Sequence, residues 1–326
     1  MEVTLNNSTI VIEKGCLTKL LKYIHPSENT IIISDTNVPG VLKQKVLSQF
    51  PNAHLFEVQT GEDNKNFTNY QNILSELLRL KFSRSDTIVA LGGGVICDLA
   101  GFVAATYKRG CQFISIPTTT LSQIDASVGG KVGINFENLK NSVGSFYPAT
   151  FVFVDVETLK TLPKRHFYNG LVEGLKAGML GDVNLYQLFL KGNFEEDLEK
   201  IIELSILYKK KIVEEDPTEK GIRKLLNYGH TIGHALESAY HMDEYYHGEC
   251  VAHGILWMSK NKPFEKEVQS ILERMQIPTI EMKDMSKYLK YIENDKKVEG
   301  STITIATVDE IGKGYLKQIN LDDLFN

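Results

Sequence analysis

The sequence predicts an α/β domain built on a mainly parallel sheet, followed by a mainly α-helical second domain. Three observations predict it. Short β-branched runs alternate with amphipathic helical segments over the first half of the chain. A triplet of glycines stands directly after one of those runs and directly before a helical segment. After about Pro163 the texture changes, and segment after segment carries the 3.6-residue period. At 326 residues the chain is long for one core and natural for two domains, expected at 1–162 and 163–326.

In order, "MEVTLNNSTIVIEKG" alternates as a strand does and lacks the basic flank and apolar core of a signal peptide. "TIIISD" (Thr30–Asp35) is a β-branched run of the kind that forms a buried parallel strand. "FTNYQNILSELLRL" (Phe67–Leu80) sets Tyr70, Ile73, Leu74, Leu77 and Leu78 at helical spacing. "DTIVAL" (Asp86–Leu91) is a second buried strand and runs into "GGG"; "QFISIPTT" and "FVFVDV" are two more. Beyond Pro163, "HFYNGLVEGLKAGML", "NLYQLFL", "EEDLEKIIELSILYKKKIVEED" and "FEKEVQSILERM" are helical, and "STITIATVDEIGKGYL" closes the chain as strand, turn and strand. A functional site is expected in the cleft between two such domains.

Composition excludes several classes. Hydrophobic residues at 42% and charged residues at 24% supply ordinary packed cores rather than disorder. A net charge of −5 gives no global attraction to nucleic acid or an anionic membrane, so an anionic ligand must meet a local cluster of cations. The chain has no apolar run of the 18 or more residues that a membrane span needs. Cys16, Cys97, Cys111 and Cys250 have no paired spacing, which fits reduced thiols in the cytoplasm better than disulfides or a cysteine zinc site.

Three features carry chemistry. "DTIVALGGGVICDLAGF" is a strand–glycine–helix turn that lets backbone approach a phosphate and aims helix N–H groups at it. It is not the G-x-G-x-x-G pattern, and the acidic Asp98 follows after four residues rather than about twenty, so the turn alone is equally an ordinary tight βα connection. "SVGGKVGINFENLKNSVGSFYP" places Lys131, Lys140 and Asn141 in a glycine- and turn-rich stretch near Thr118–Thr120, a donor set suited to phosphate. Lys108 and Arg109 ("YKRG") and Lys296 and Lys297 ("NDKKV") add cations, whereas "YKKKI" (Lys209–Lys211) is a helical, mostly solvated run with room for one lysine turned inward. The third feature is "LLNYGHTIGHALES", with His230 and His234 four residues apart, together with His247 in "YYHGECVAHG" and Glu173 of "GLVEGLKAGM", three residues before Lys176. One Glu and two His with open positions form a catalytic zinc set, but spacing alone leaves His230 and His234 equal as the second ligand.

Taken together, "GEDNK", "LGGGVICDLAGFVAATYKRG", "IPTTTLSQIDASVGGKVGIN", "LKN", "DVETLKTLP", "GLVEGLKAGM", "GIRKLLNYGHTIGHALE", "HGECVAHG" and "DKKV" resemble the 3-dehydroquinate synthases of the shikimate pathway. The matching stretches run from about residue 60 to 300, in the family's order. The wider superfamily also holds other sugar-phosphate cyclases and metal-dependent polyol dehydrogenases. The resemblance implies a dehydroquinate synthase-like fold: an α/β NAD-binding domain, a helical domain holding Zn²⁺ or Co²⁺, and a homodimer in the cytoplasm.

The resemblance also implies roles. Glu173, His230 and His247 hold the metal, and His234 faces the substrate. Contacts to NAD fall on Glu62, Lys65, Gly94, Val95, Ile96, Cys97, Asp98, Thr118, Thr119, Thr158, Leu159, Lys160 and Thr161. By analogy Asp35 and Asn37 hold the adenosine half, and Lys131 and Lys140 count as cofactor contacts too. The sugar-phosphate substrate meets Asp125, Lys131, Lys140, Asn141, Lys176, Lys209, Arg223, Asn227, His234 and Lys296, while Arg109 reaches the neighbouring subunit's phosphate pocket. Cys97 stands where the family usually has Gly, and "VEGLK" replaces the commoner "AEVIK" while keeping Glu and Lys.

Overall fold

A computed structural model describes residues 1–137, 139–240, 244–281, 288, 291–292, 298–299 and 302–325. The chain divides into two compact units, Met1–Pro163 and Lys164–Asn326.

The first unit is built on β1 (Glu2–Leu5), β2 (Ser8–Ile12), β3 (Thr30–Asp35), β4 (Ala53–Val58), β5 (Thr87–Gly92), β6 (Gln112–Pro117) and β9 (Phe151–Val154), with a separate hairpin of β7 (Lys131–Phe136) and β8 (Leu139–Phe146). Its seven-stranded sheet has the order β1-β2-β9-β6-β5-β3-β4. Every neighbour pair is parallel except β1 with β2, a short antiparallel hairpin. The central strands bear buried residues on both faces, because helices cover both sides. The helices are α1 (Gly40–Leu47), α2 (Phe67–Arg79) and α3 (Gly94–Thr106). Asn66 caps α2 by accepting the Asn69 N–H at 2.9 Å, and Ile73 and Leu77 form its buried stripe. α3 is buried almost throughout, from Ile96 to Ala104.

The glycine-rich stretch after β6 is not an open loop. Lys131–Phe136 and Leu139–Phe146 pair as an antiparallel hairpin, with Gly133 opposite Gly144. The two strands come so close there that a Cβ on Gly144 would lie 2.3 Å from the Val132 carbonyl oxygen. The glycines that look like loop punctuation are therefore what permits the pairing.

The second unit consists of α4 (Lys164–Gly181), α5 (Val183–Lys191), α6 (Leu198–Glu215), α7 (His230–Ala239), α8 (His247–Met258) and α9 (Glu265–Arg274), with a sheet of β10 (Val298–Glu299), β11 (Thr302–Val308) and β12 (Gly314–Asn320). α4 is buried along nearly its whole length, from Phe167 to Leu180, and packs on α5, α6 and α8. α7 packs on α8 with no side chain between them at Gly233, where a Cβ would meet Val251 Cα at 3.0 Å. This close approach brings the first turns of α7 and α8 to the middle of α4.

Candidate functional site

In the first unit the expected nucleotide contacts collect at one edge. The carboxyl end of β5 leads through Gly92 and Gly93 into Gly94, Val95 and Ile96, the first three residues of α3, whose N–H groups have no acceptor within the helix. β3 is the next strand on one side and ends at Asp35, which accepts the Asn37 N–H at 2.8 Å. β6 is the next strand on the other side, with Gly92 in register with Pro117, so Thr118 and Thr119 follow beside the glycines. β9 leads into the short helix Val156–Thr161 that carries Thr158, Leu159, Lys160 and Thr161. Ligands of open α/β sheets bind outside these carboxyl ends.

The three glycines are not equivalent. A Cβ on Gly92 would lie 2.7 Å from Ile96 Cβ, and one on Gly93 would lie 3.1 Å from Thr119 Cγ2. One on Gly94 would meet Ala126 Cβ at 3.6 Å, an ordinary contact. Packing therefore demands the first glycine and crowds the second. The third keeps the helix N-terminus bare, as close approach of a phosphate requires.

Beside this edge Lys65, buried at 4% exposure, pairs with Asp98 at 2.5 Å, and Glu62 accepts from Asn135 Nδ2 at 2.8 Å. Burial works against charge on Lys65, but Asp98 and Glu62 outweigh it and raise its pKa. Thr158 Oγ1 accepts from the buried Gln123 Nε2 at 2.9 Å. Cys97 is buried, its Sγ 3.5 Å from Ser115 Oγ, so the thiol packs against the sheet where a glycine would leave a gap.

The cations are less gathered. Lys131 opens β7 opposite Phe146, while Lys140 and Asn141 lie near the turn at the hairpin's other end, about 13 Å along the strand at 3.3 Å per residue. The Asn141 N–H donates to Asn135 Oδ1 at 2.9 Å, which ties that end to Glu62. Asp125 sits in the helical turn Ser122–Ala126 after β6. Arg109 is exposed in the turn before β6, at the amino edge of the sheet and away from the carboxyl ends. Lys296 and Lys297 lie outside the described residues.

The second unit gathers the histidines. Glu173, from the middle of α4, meets His230 and His247, the first residues of α7 and α8. His230 Nε2 lies 3.6 Å and His247 Nε2 3.5 Å from Glu173 Oε1. Ligands about 2.1 Å from a tetrahedral ion stand about 3.4 Å apart, so the set has the span of a three-ligand site. Among the described residues, neither carboxylate oxygen of the buried Glu173 has a hydrogen-bond partner of good geometry, although Lys176 is ion-paired to Oε2. Buried polar atoms left this way call for a partner of another kind. His234 lies one turn on, its ring 5.3 Å from that of His230, and is not part of the Glu173 set.

Protein groups alone set the electrostatics. Burial, then Lys176 and the other two imidazoles, holds His230 well below its ordinary pKa. His230 is thus neutral, and its Nδ1, 3.1 Å from the Tyr228 carbonyl oxygen, is the protonated nitrogen, which leaves Nε2 bare toward Glu173. Burial opposes charge on Glu173 as well, but Lys176 and His247 outweigh it and keep the carboxylate ionised. Burial opposes charge on His247 too, but Glu237 and Glu173 outweigh it and raise its pKa to about 10, so the Glu173 carboxylate and the His230 imidazole stand ready for a divalent cation and His247 joins them by releasing a proton.

Around this centre Lys176 donates to the Leu226 carbonyl at 2.6 Å, which brings it to the short helix Ile222–Asn227 bearing Arg223 and Asn227. Arg223 is buried and donates to the Pro217 carbonyl at 2.6 Å, and Asn227 donates to Glu219 at 2.8 Å. Of the "KKK" run, Lys209 is the buried member and Lys211 is exposed. Glu237, which the sequence reasoning passed over, is buried on α7 and lies 2.9 Å from His247 Nδ1. Its signal was visible: it follows His234 by three residues and His230 by seven, on the same helical face.

Two family descriptions cover most of the chain: 3-dehydroquinate synthase N-terminal over residues 55–169 and 3-dehydroquinate synthase C-terminal over residues 170–298. A 3-dehydroquinate synthase of Campylobacter concisus is 39% identical over 299 residues, spanning 88% of this chain and 86% of that protein. One of Clostridium beijerinckii is 37% identical over 96% of this chain and 95% of its own. Among solved structures, 2-deoxy-scyllo-inosose synthase complexed with carbaglucose-6-phosphate, NAD⁺ and Co²⁺ superposes with a TM-score of 0.86 at 24% identity, covering 99% of this chain and 98% of that one. That likeness is one of fold.

Proposed function

Because the chain belongs to the 3-dehydroquinate synthase family, we propose that it converts 3-deoxy-D-arabino-heptulosonate 7-phosphate to 3-dehydroquinate and phosphate. The convergence of Glu173, His230 and His247 carries this reading. Similar synthases are described with NAD⁺ and Co²⁺ or Zn²⁺, and the donor set here suits either ion. When bound, NAD takes up and returns a hydride, and the divalent ion polarises the substrate oxygen at which oxidation occurs.

The chain's own residues do the rest. Glu173 Oε1 and the Nε2 atoms of His230 and His247 hold the ion. The carboxyl edge of the sheet, with Asp35 and Asn37, Glu62 and Lys65, residues 94–98, Thr118 and Thr119, and residues 158–161, holds NAD. Lys131, Lys140 and Asn141, with Lys296 and the Arg109 of a neighbouring subunit in a homodimer, bind the phosphate and stabilise it as it leaves. Arg223, Lys176 and Lys209 orient the substrate carboxylate and hydroxyls, with Asn227 and Asp125. His234, outside the ligand set, moves a proton. The net reaction these residues would serve is a phosphate-eliminating lyase step followed by ring closure.

The test is phosphate release from the heptulosonate phosphate with sub-stoichiometric NAD, before and after chelation, with NADH absorbance followed in parallel. Many phosphates per NAD, lost on chelation and restored by metal, with no net NADH, is the expected result. Net NADH without phosphate release makes the protein a dehydrogenase instead. Turnover of glucose 6-phosphate or sedoheptulose 7-phosphate in preference moves it to another cyclase.

A further inference from the structure

Glu237 is buried at 6% exposure on α7, where an unpartnered carboxylate is costly. Its Oε1 lies 2.9 Å from His247 Nδ1, while Nε2 of the same ring lies 3.5 Å from Glu173 Oε1. The imidazole is thus bracketed by carboxylates from two different helices, one on each nitrogen. We propose that Glu237 is the positioning residue of the metal centre: by accepting the Nδ1–H of His247 it fixes the tautomer and the ring orientation that present Nε2 to the ion. This rests on the reading of Glu173, His230 and His247 as ligands.

Two observations favour the role. The two histidines are held differently. The His230 side chain is 10% exposed and its Nδ1 has the Tyr228 carbonyl, so packing and backbone already fix it. The His247 side chain is 28% exposed, so packing constrains it less and a side-chain acceptor has more to do. The second observation concerns the competing arrangement, an ion held by His234, Glu237 and His247, whose donor atoms also lie within 4.8 Å of one another. An ion on His247 Nδ1 requires that nitrogen bare, and His247 then cannot offer Nε2 to the Glu173 set without losing both ring protons. A separation of 2.9 Å is that of an ordinary N–H···O bond.

The experiment is Co²⁺ binding to the full chain, by competition with a chromophoric chelator, together with proton NMR of the Co²⁺ form. The wild type is expected to bind one ion and to show two strongly shifted, exchangeable imidazole N–H resonances, from His230 and His247. Glu237→Ala should bind the ion about 10–100-fold more weakly and lose one of those resonances. Glu237→Gln, which keeps an acceptor, should recover most of the affinity and the resonance. If the alanine variant does not fold, Glu237→Leu fills the site without an acceptor and carries the same expectation. Affinity within twofold of wild type with both resonances kept overturns the proposal, as does a second bound ion that disappears with Glu237. Glu173→Ala separates the two readings. If ion binding is indifferent to Glu173, the ligand assignment falls and the positioning role with it. If binding depends on Glu173 and not on Glu237, the positioning role alone falls.

Discussion

His230 begins α7 and brings Nε2 to within 3.6 Å of Glu173 Oε1, whereas His234, one turn on, gathers with Glu237 and His247. We therefore expect His230→Ala to weaken metal binding by more than the 10–100-fold typical of an outer-shell partner. His234→Ala should keep the metal within about twofold and lower turnover by about 10²–10⁴, the range of a lost acid–base group. Metal content by mass spectrometry beside steady-state rates checks both, and a metal-free His234→Ala protein would sink the division. Spacing could not assign the pair, because four residues advance a helix by about 6 Å and only about 40° of rotation. The choice depends on where α4 crosses α7, a tertiary fact. Family resemblance carries the assignment that spacing leaves open, and among the described residues Glu173 gathers with His230 and His247. Cys97 was legible as a departure but not as a consequence. Burial pushes its thiol up to about 12 and that of Cys16 likewise, while Cys111 goes up to about 11. All four cysteines are buried and outside any disulfide, so a disulfide reagent at pH 8 should find almost no thiol until the chain is unfolded, and then four. Rapid labelling of Cys97 in the native protein would contradict its packing on Ser115.

At the level of elements, the buried parallel strands are legible because a strand covered on both faces reads as a continuous apolar run at its centre, as Ile31, Ile32 and Ile33 do in "TIIISD". β4 was not predicted: its sequence "AHLFEV" lies at the sheet edge and is only partly buried, so selection for apolar residues is weak there. The β7–β8 hairpin reads in the sequence as turn-rich chain because its glycines hide the strand signal, and their purpose shows only when the two backbones are paired. The glycines now give contrasting expectations. Gly144→Ala places a Cβ 2.3 Å from a carbonyl oxygen and should destabilise the first unit by about 1–3 kcal/mol, the usual cost of overpacking. Gly94→Ala meets only an ordinary contact at 3.6 Å, so its stability should stay within about 1 kcal/mol of wild type. If the bare helix start receives a phosphate, NAD binding should nevertheless fall at least about tenfold. Urea melts beside NAD titration decide this. Equal NAD affinity in Gly94→Ala would remove the glycine turn from the cofactor site.

For the molecule as a whole, a net charge of −5 says little, and what matters is where charge is buried. The helical unit buries Glu173, Glu237, Glu249, Lys176, Lys209 and Arg223. Among these, Glu249 is answered by Arg165 in a two-point pair at 2.7 and 2.8 Å, whereas both oxygens of Glu173 lack a well-formed hydrogen bond among the described residues. Burying a charge with incomplete partners costs stability, and a ligand that supplies the missing partner returns it. An ion at 100 times its Kd stabilises the native state by about 2.7 kcal/mol. For a domain of roughly 150–250 residues that corresponds to a Tm higher by about 5–10 °C. We expect chelation to lower the Tm of the wild type by this amount and re-addition of Zn²⁺ or Co²⁺ to restore it. Glu173→Ala should melt at one temperature with or without chelator, because its centre no longer gains from the ion. Hydrogen exchange locates the effect: lost protection should concentrate in α4, α7 and α8, the helices that bear the ligands. A chelator-dependent drop of the same size in Glu173→Ala would place the stabilising ion elsewhere. Lost protection confined to the first unit would do the same, and in either case the buried carboxylate of α4 would need another explanation.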